Sequence, residues 1–234
     1  MTEKRLIPAV ETRIGTLMEY SRQIQMRAER KIRSNPNPTI TISREFGCEA
    51  YPVAEQLRAQ MEKKTGEPWL LVDRALFDEI ARNHNLSEQV MQGLGEKSRF
   101  LDEILATFSP QWKTEKDYFR VLCRHIISLA QQGNVIVVGR GSAFITQSLR
   151  NCYHFRLFAS SRFKIRSIEH RLGISAEEAE KLIALKQSQR DRFIRDFLDR
   201  DEHDLTVYNV IFNNDRNTSE KIARTITEYI CQAE

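Results

Sequence analysis

TITISREFGCEAYPVA, residues 39–54, is the stretch whose reading decides the fold. Ile40 and Ile42 alternate with Thr39, Thr41 and Ser43 at the period of a strand. A polar turn with a single glycine, Gly47, follows, and a helix-compatible segment begins after Pro52. Strand, loop and helix in that order is how α/β proteins hold phosphates, because the first amides of a helix have no intrahelical acceptor and face an anion. The loop departs from G-x-x-x-x-G-K-[ST]: Cys48, Glu49, Ala50 and Tyr51 follow Gly47, and neither the lysine nor the magnesium-binding hydroxyl is present. The stretch predicts a phosphate site on an altered loop.

Outward from this unit the pattern repeats. Short apolar runs at Thr39 to Ser43, Trp69 to Asp73, Val135 to Gly139, Tyr153 to Ala159 and Thr206 to Asn213 read as strands suited to burial on both faces. Helical periodicity fills the intervals: Pro52 to Lys64, Arg74 to His84, Ser87 to Leu105, Lys116 to Gln132, Ser142 to Leu149, Arg162 to Leu172, Ser175 to Lys186 and Ser219 to Cys231. Ser175 with Glu178 has the spacing of a capping box. The predicted class is α/β: a five-stranded parallel sheet with helices on both faces and right-handed crossovers.

Upstream, Val10, Ile14, Leu17, Ile24, Ala28 and Ile32 recur at three- and four-residue steps, one face of a helix over residues 9–33 whose far end is basic. Ser34-Asn-Pro-Asn-Pro38 stops it, since proline cannot continue the hydrogen-bond ladder. The chain thus divides into an amphipathic helix and Pro-containing linker, residues 1–38, and a core domain, residues 39–234. The apolar face can pack on that core or on a second subunit, so a homodimer through it is one expectation. The basic end has no interleaved aromatics, which disfavours nucleic acid.

At 234 residues and 41% hydrophobic content, the chain suffices for one sizeable α/β core. A net charge of +4 is ordinary surface rather than a nucleic-acid signature. Cys48, Cys123, Cys152 and Cys231 form no CxxC pair or zinc spacing, and no window approaches the roughly 20 apolar residues of a membrane span. A cytoplasmic protein with free thiols and no membrane contact is expected. The five histidines stand apart from any paired nucleophile, which argues against Ser-His-Asp or Cys-His chemistry. Cys48, close to a predicted helix N-terminus, sits where a thiol pKa can fall.

Open parallel sheets bind ligands at the C-terminal ends of their strands, and polar residues gather there. The first strand ends in Ser43-Arg44-Glu45, the second in Asp73-Arg74, the third in Gly139-Arg140-Gly141. Asp73 and Arg74 read equally as a helix-capping aspartate and a surface arginine. Arg140 is sharper: flanking glycines let the backbone turn tightly and aim a guanidinium at the strand ends, suited to bidentate phosphate contact. Further on, Arg190, Arg192 and Arg195 lie within one short helical reach. They read either as a segment closing over a transferring phosphoryl group or as a solvated face balanced by Asp191 and Asp196.

Taken in order, ITISREFG, VDRALFDEIA, VIVVGRGSAFI, YHFRLFASSRFKIRSIEHRLG, the arginine segment and DLTVYNVIFNN resemble the cytidylate kinase-like family of P-loop nucleoside monophosphate kinases, from about Thr39 to Glu234. The resemblance implies an ATP-dependent phosphotransferase requiring Mg2+. It places Ser43, Arg44, Glu45, Gly47 and Cys48 in the phosphate loop, and Asp73, Arg74 and Arg140 at the acceptor. Arg190, Arg192 and Arg195 fall in a helical lid near residues 186–204, and Arg44 joins them as a catalytic cation.

Where family members read G-S-G-G-R, this chain reads Gly47-Cys48-Glu49-Ala50-Tyr51, and the lid's D-x-x-R becomes Gln187-Ser-Gln-Arg190. A side chain at each former glycine limits how closely the loop can wrap a phosphate, and Glu49 adds repulsion. Two functions follow: a phosphotransferase in which Arg44 or a lid arginine supplies the missing charge, or a kinase-like module that senses a nucleotide or holds a partner without catalysis.

Overall fold

In the computed structural model, which describes residues 7–29, 37–82 and 115–232, five parallel strands form one sheet in the order β2-β3-β1-β4-β5. They are β1 (Thr39–Arg44), β2 (Leu70–Val72), β3 (Val135–Val138), β4 (Cys152–Phe158) and β5 (Val210–Asn213). The central β1 pairs with β3 from Thr39↔Val135 and with β4 from Thr39↔Cys152, so the loop leaving β1 emerges between both neighbours.

Strand β3, VIVV, is buried throughout because both faces are covered. Ile136 and Val138 join Ile40, Ile42, Phe155, Leu157 and Phe212 beneath α2 (Ala50–Thr65) and the C-terminal α8 (Ser219–Gln232). Val135 and Val137 join the opposite core with Leu76, Phe77 and Ile80 of α3 (Arg74–Arg82), Leu122, Ile126 and Ile127 of α4 (Glu115–Gln132), and Phe144 of α5 (Ser142–Thr146). The amphipathic α1 (Val10–Glu29) packs on this second side through Leu17 and Tyr20, both buried.

Three of the departures from expectation have local reasons. Helix α2 starts at Ala50, before Pro52, because a proline in the first turn lacks only an amide that would have no helical acceptor. The helix expected to stop at Lys186 continues: α7 runs Ala176–Leu198, started by the Ser175–Glu178 capping box and ended at Asp199, whose φ is +51°. Strand β5 begins at Val210 rather than Thr206, since Asp204 Oδ1 accepts both the amide and the hydroxyl of Thr206 at 2.9 and 2.5 Å and holds that stretch in a turn. The helix expected over Ser87 to Leu105 lies outside the described residues. Helix α6 (Ser161–Leu172), N-capped by Ser160, completes the set.

Candidate active site

Two amides of the loop between β1 and α2 are held by side chains from distant elements. The Phe46 amide donates to Gln187 Oε1 and the Glu49 amide to Asn214 Oδ1, both at 2.8 Å. The Cys48 amide turns back to the Glu45 carbonyl at 3.3 Å. Gly47 has φ +98°, and a Cβ there would stand 2.7 Å from Lys164 Cβ, so this position admits only glycine. The Lys164 ammonium in turn pairs with Glu45 at 2.8 Å. Cys48 is buried, and burial followed by the Glu45 charge pushes its thiol up to about 12. This corrects the expectation of a lowered thiol pKa: desolvation outweighs the nearby helix start.

Beside the loop, at the C-terminal ends of β1, β3 and β4, opens a cavity of about 500 Å3. Arg44, Arg74, Arg140, Arg156, Lys186 and Arg190 line it, with Glu202 as the acid among them. Arg44 and Arg190 form no ion pair with any carboxylate among the described residues. Burial, then the neighbouring Arg190, lowers the Arg44 pKa to about 9, and burial lowers that of Arg190. Two crowded, charged guanidiniums, neither in an ion pair with a carboxylate of the described residues, make a site that an anion would stabilise.

The glycines of the third strand end explain the crowding. Gly139, Arg140 and Gly141 all have positive φ, +79°, +59° and +68°. A Cβ on Gly139 would lie 1.7 Å from Arg44 Nη1, so that glycine makes room for the Arg44 guanidinium. Arg140, a non-glycine held in the left-handed region, is fixed by Asp78 at 2.6 Å and by the Phe193 ring, 5.5 Å below it. Asp78 stays below its ordinary pKa although burial pushes it up, because the Tyr118 hydroxyl and Arg140 outweigh burial.

A scan of family models matches the cytidylate kinase-like family over residues 39–216. The chain belongs to the cytidylate kinase-like family. No curated protein sequence matches it. Among solved structures, an uncharacterized protein from Eubacterium ventriosum superposes with a TM-score of 0.63 at 18% identity, covering 84% of this chain and 99% of that one. Shikimate kinase from Bacteroides thetaiotaomicron aligns with a TM-score of 0.42 at 14% identity, over 82% and 98% of the two chains. The first of these likenesses supports the fold alone.

Within this kinase-like fold, the structure brings together Ser43, Arg44, Arg74, Arg140 and Arg190 around the cavity. Gly47 and Cys48 lie in the loop behind it, and Glu45 is engaged with Lys164. Asp73 accepts the Leu76 amide at 3.1 Å, capping α3, and pairs with Arg13 of α1 at 2.7 Å. Arg192 and Arg195 are exposed on the outer face of α7, with Arg195 beside Asp196 at 3.5 Å.

Sequence reasoning assigned no role to Arg156 or Glu202 and marked Gln187 only as a missing aspartate. Arg156 is buried on β4 and donates to the Glu202 carbonyl at 2.7 Å and its carboxylate at 3.1 Å. Its guanidinium also lies over the Tyr208 ring at 5.5 Å. Glu202 is itself buried, which, followed by a hydrogen bond with Asp191, raises its pKa. Gln187 Nε2 donates to Asp191 Oδ1 and Glu202 Oε1, each at 2.8 Å, so one amide side chain joins the loop to this acid pair. One signal was available: His154 and Arg156 occupy alternate positions of a strand whose other alternates, Phe155 and Leu157, are core.

Proposed function

We propose that the protein is an ATP-dependent phosphotransferase that moves the γ-phosphoryl group to a nucleoside monophosphate or a similar small anionic acceptor held in the cavity. The observation that carries this reading is the convergence of Arg44, Arg140 and Arg190 on one cavity at the strand ends, two of the three guanidiniums without an ion pair to a carboxylate among the described residues. Phosphoryl transfer is mostly positioning and charge neutralisation, and three cations aimed at one volume supply both. In this reading Arg140, held by Asp78 and Phe193, orients the acceptor. Arg44 and Arg190, backed by the cavity's apolar wall of Phe144, Phe193 and Ile194, neutralise charge and exclude water.

The loop's donor set suits phosphate oxygens, since the Phe46 and Glu49 amides each already hold a carbonyl oxygen at 2.8 Å. Gly47, these amides and Lys164 are the residues that would hold a triphosphate, which supplies the transferable group when bound. For magnesium the fit is poor: among the described residues no three His, Cys, Asp or Glu side chains group as a metal site, and Asp73 and Glu45 are engaged by Arg13 and Lys164. Magnesium in this reading arrives with the triphosphate, and no step is assigned to it.

The occupied loop amides and the acid Glu49 favour a second reading, a kinase-like module that binds an anion without transferring phosphate. Incubating the protein with ATP, Mg2+ and each nucleoside monophosphate, with products resolved by 31P NMR, separates the two. Diphosphate formation that Arg140→Ala abolishes in a folded variant supports the enzyme. Saturable calorimetric binding of the monophosphates without any product supports the module.

A further inference from the structure

Helix α7 touches the phosphate loop at three points. Gln187 Oε1 accepts the Phe46 amide at 2.8 Å, Arg190 Nη1 donates to the Arg44 carbonyl at 3.0 Å, and the Arg190 guanidinium lies over the Phe46 ring at 5.1 Å. From the other side Asn214, buried just beyond β5, accepts the Glu49 amide at 2.8 Å. A phosphate cradled by this loop needs the same amides, each of which has one proton to donate. Side-chain carbonyl oxygens therefore stand where phosphate oxygens are required.

Gln187 is chemically matched to this position. Its oxygen faces an amide while its nitrogen donates to Asp191 and Glu202, and no single carboxylate side chain performs both tasks, because a carboxylate has no proton to give. Glu202 is in turn tied to Arg156 of β4 at 3.1 Å, so the contact is anchored in the sheet through a chain of hydrogen bonds.

We propose that Gln187 and Asn214 form a latch that holds the phosphate loop closed by occupying its amides. A linear polyphosphate then binds the loop only in competition with them, most directly by α7 withdrawing Gln187. The inference rests on the loop being the polyphosphate site of the reading above. The latch makes polyphosphate affinity a property of α7: any ligand that draws Arg190 and its helix deeper into the cavity strengthens the closed state, and any that turns α7 outward opens it.

Inorganic tripolyphosphate is the probe, titrated calorimetrically into the full chain, with amide hydrogen exchange read at Phe46 and Glu49. Gln187→Met keeps the length of the half-buried side chain and removes the competing oxygen. It is expected to raise affinity about three- to tenfold, the worth of one such hydrogen bond, and to speed exchange at Phe46 until tripolyphosphate restores protection. Asn214→Ala tests the second amide independently and is expected to do the same at Glu49. Unchanged or weaker affinity in both variants, with native circular dichroism, overturns the latch. So does tighter binding that leaves Phe46 and Glu49 unprotected, since the anion then sits in the cavity. If the affinity and exchange results are as expected while neither wild type nor variant forms a diphosphate product, the latch stands and the phosphotransferase reading falls.

Discussion

Strands β1 and β4 show two chemically opposite faces to the two halves of the molecule. On the α2 and α8 side, Ile40, Ile42, Phe155 and Leu157 are buried in an entirely apolar cluster. On the other side the alternate positions are Thr39, Thr41, His154 and Arg156, equally buried yet polar. Each polar group is provided for: Thr39 donates to the Ala130 carbonyl at 3.0 Å, Thr41 and His154 share a 2.8 Å contact, and Arg156 reaches Glu202. The apolar face supports the loop as a rigid platform. The polar face costs desolvation along its whole length, and it leads directly to the cavity where the arginines converge. The sheet is most expensive to build where its charged residues line the cavity.

The sharpest way to break this comparison is at Arg156. Arg156→Ala leaves Glu202 buried without its cation and is expected to destabilise the fold by about 3–5 kcal/mol, read by denaturant unfolding. A volume-matched apolar pair, Arg156→Met with Glu202→Leu, is expected to recover most of that loss while abolishing calorimetric binding of nucleoside monophosphates. If the double variant stays as unstable as the single one, the polar pair is structural and the contrast between the two faces loses its meaning.

His154 of this face and the buried His125 of α4 give a pH dependence. Burial lowers His154 and His125 to about 4 from an ordinary 6.5, so between those values the unfolded chain takes up protons that the folded chain refuses. Stability is therefore present above pH 6.5 and falls as pH drops toward 4, by about 3 kcal/mol for each histidine. His154→Gln, which keeps a partner for Thr41, should flatten roughly half of that fall in a series of unfolding curves. An unchanged slope would mean that His154 is protonated within the fold.

Much of this was legible in advance. The strand-loop-helix order at Thr39 to Ala54 reads directly from alternation and a glycine, and Arg140 between two glycines announces a turn that aims a cation. The span of α7 was misjudged: the helix was expected to stop at Lys186, although no glycine or proline lies between Ala176 and Leu198 to end it. Gln187 was legible only as a missing aspartate, because its partners Phe46 and Glu202 are 141 and 15 residues away and no local pattern relates them. Arg156 was hidden differently. A charged residue within an apolar strand gives no sign of whether it faces solvent or a buried carboxylate until the covering segment at Glu202 is placed.

The smallest expected effects lie on α7, where one helix carries both kinds of arginine. Arg190 faces the loop and the cavity, while Arg192 and Arg195, two and five residues further on, are exposed. At 3.6 residues per turn, two residues carry Arg192 about 200° around the helix and five carry Arg195 about 140°, so both point away from the face that bears Arg190. Arg190→Ala removes one charge-assisted contact and should weaken anion binding about tenfold or more. Arg192→Ala and Arg195→Ala should leave stability within about 0.5 kcal/mol of wild type and shift monophosphate affinity less than about threefold, all of it lost at high salt. A large, salt-resistant loss in either outer variant would mean that α7 rotates on binding ligand, and that the inner face seen here belongs to only one of its two positions.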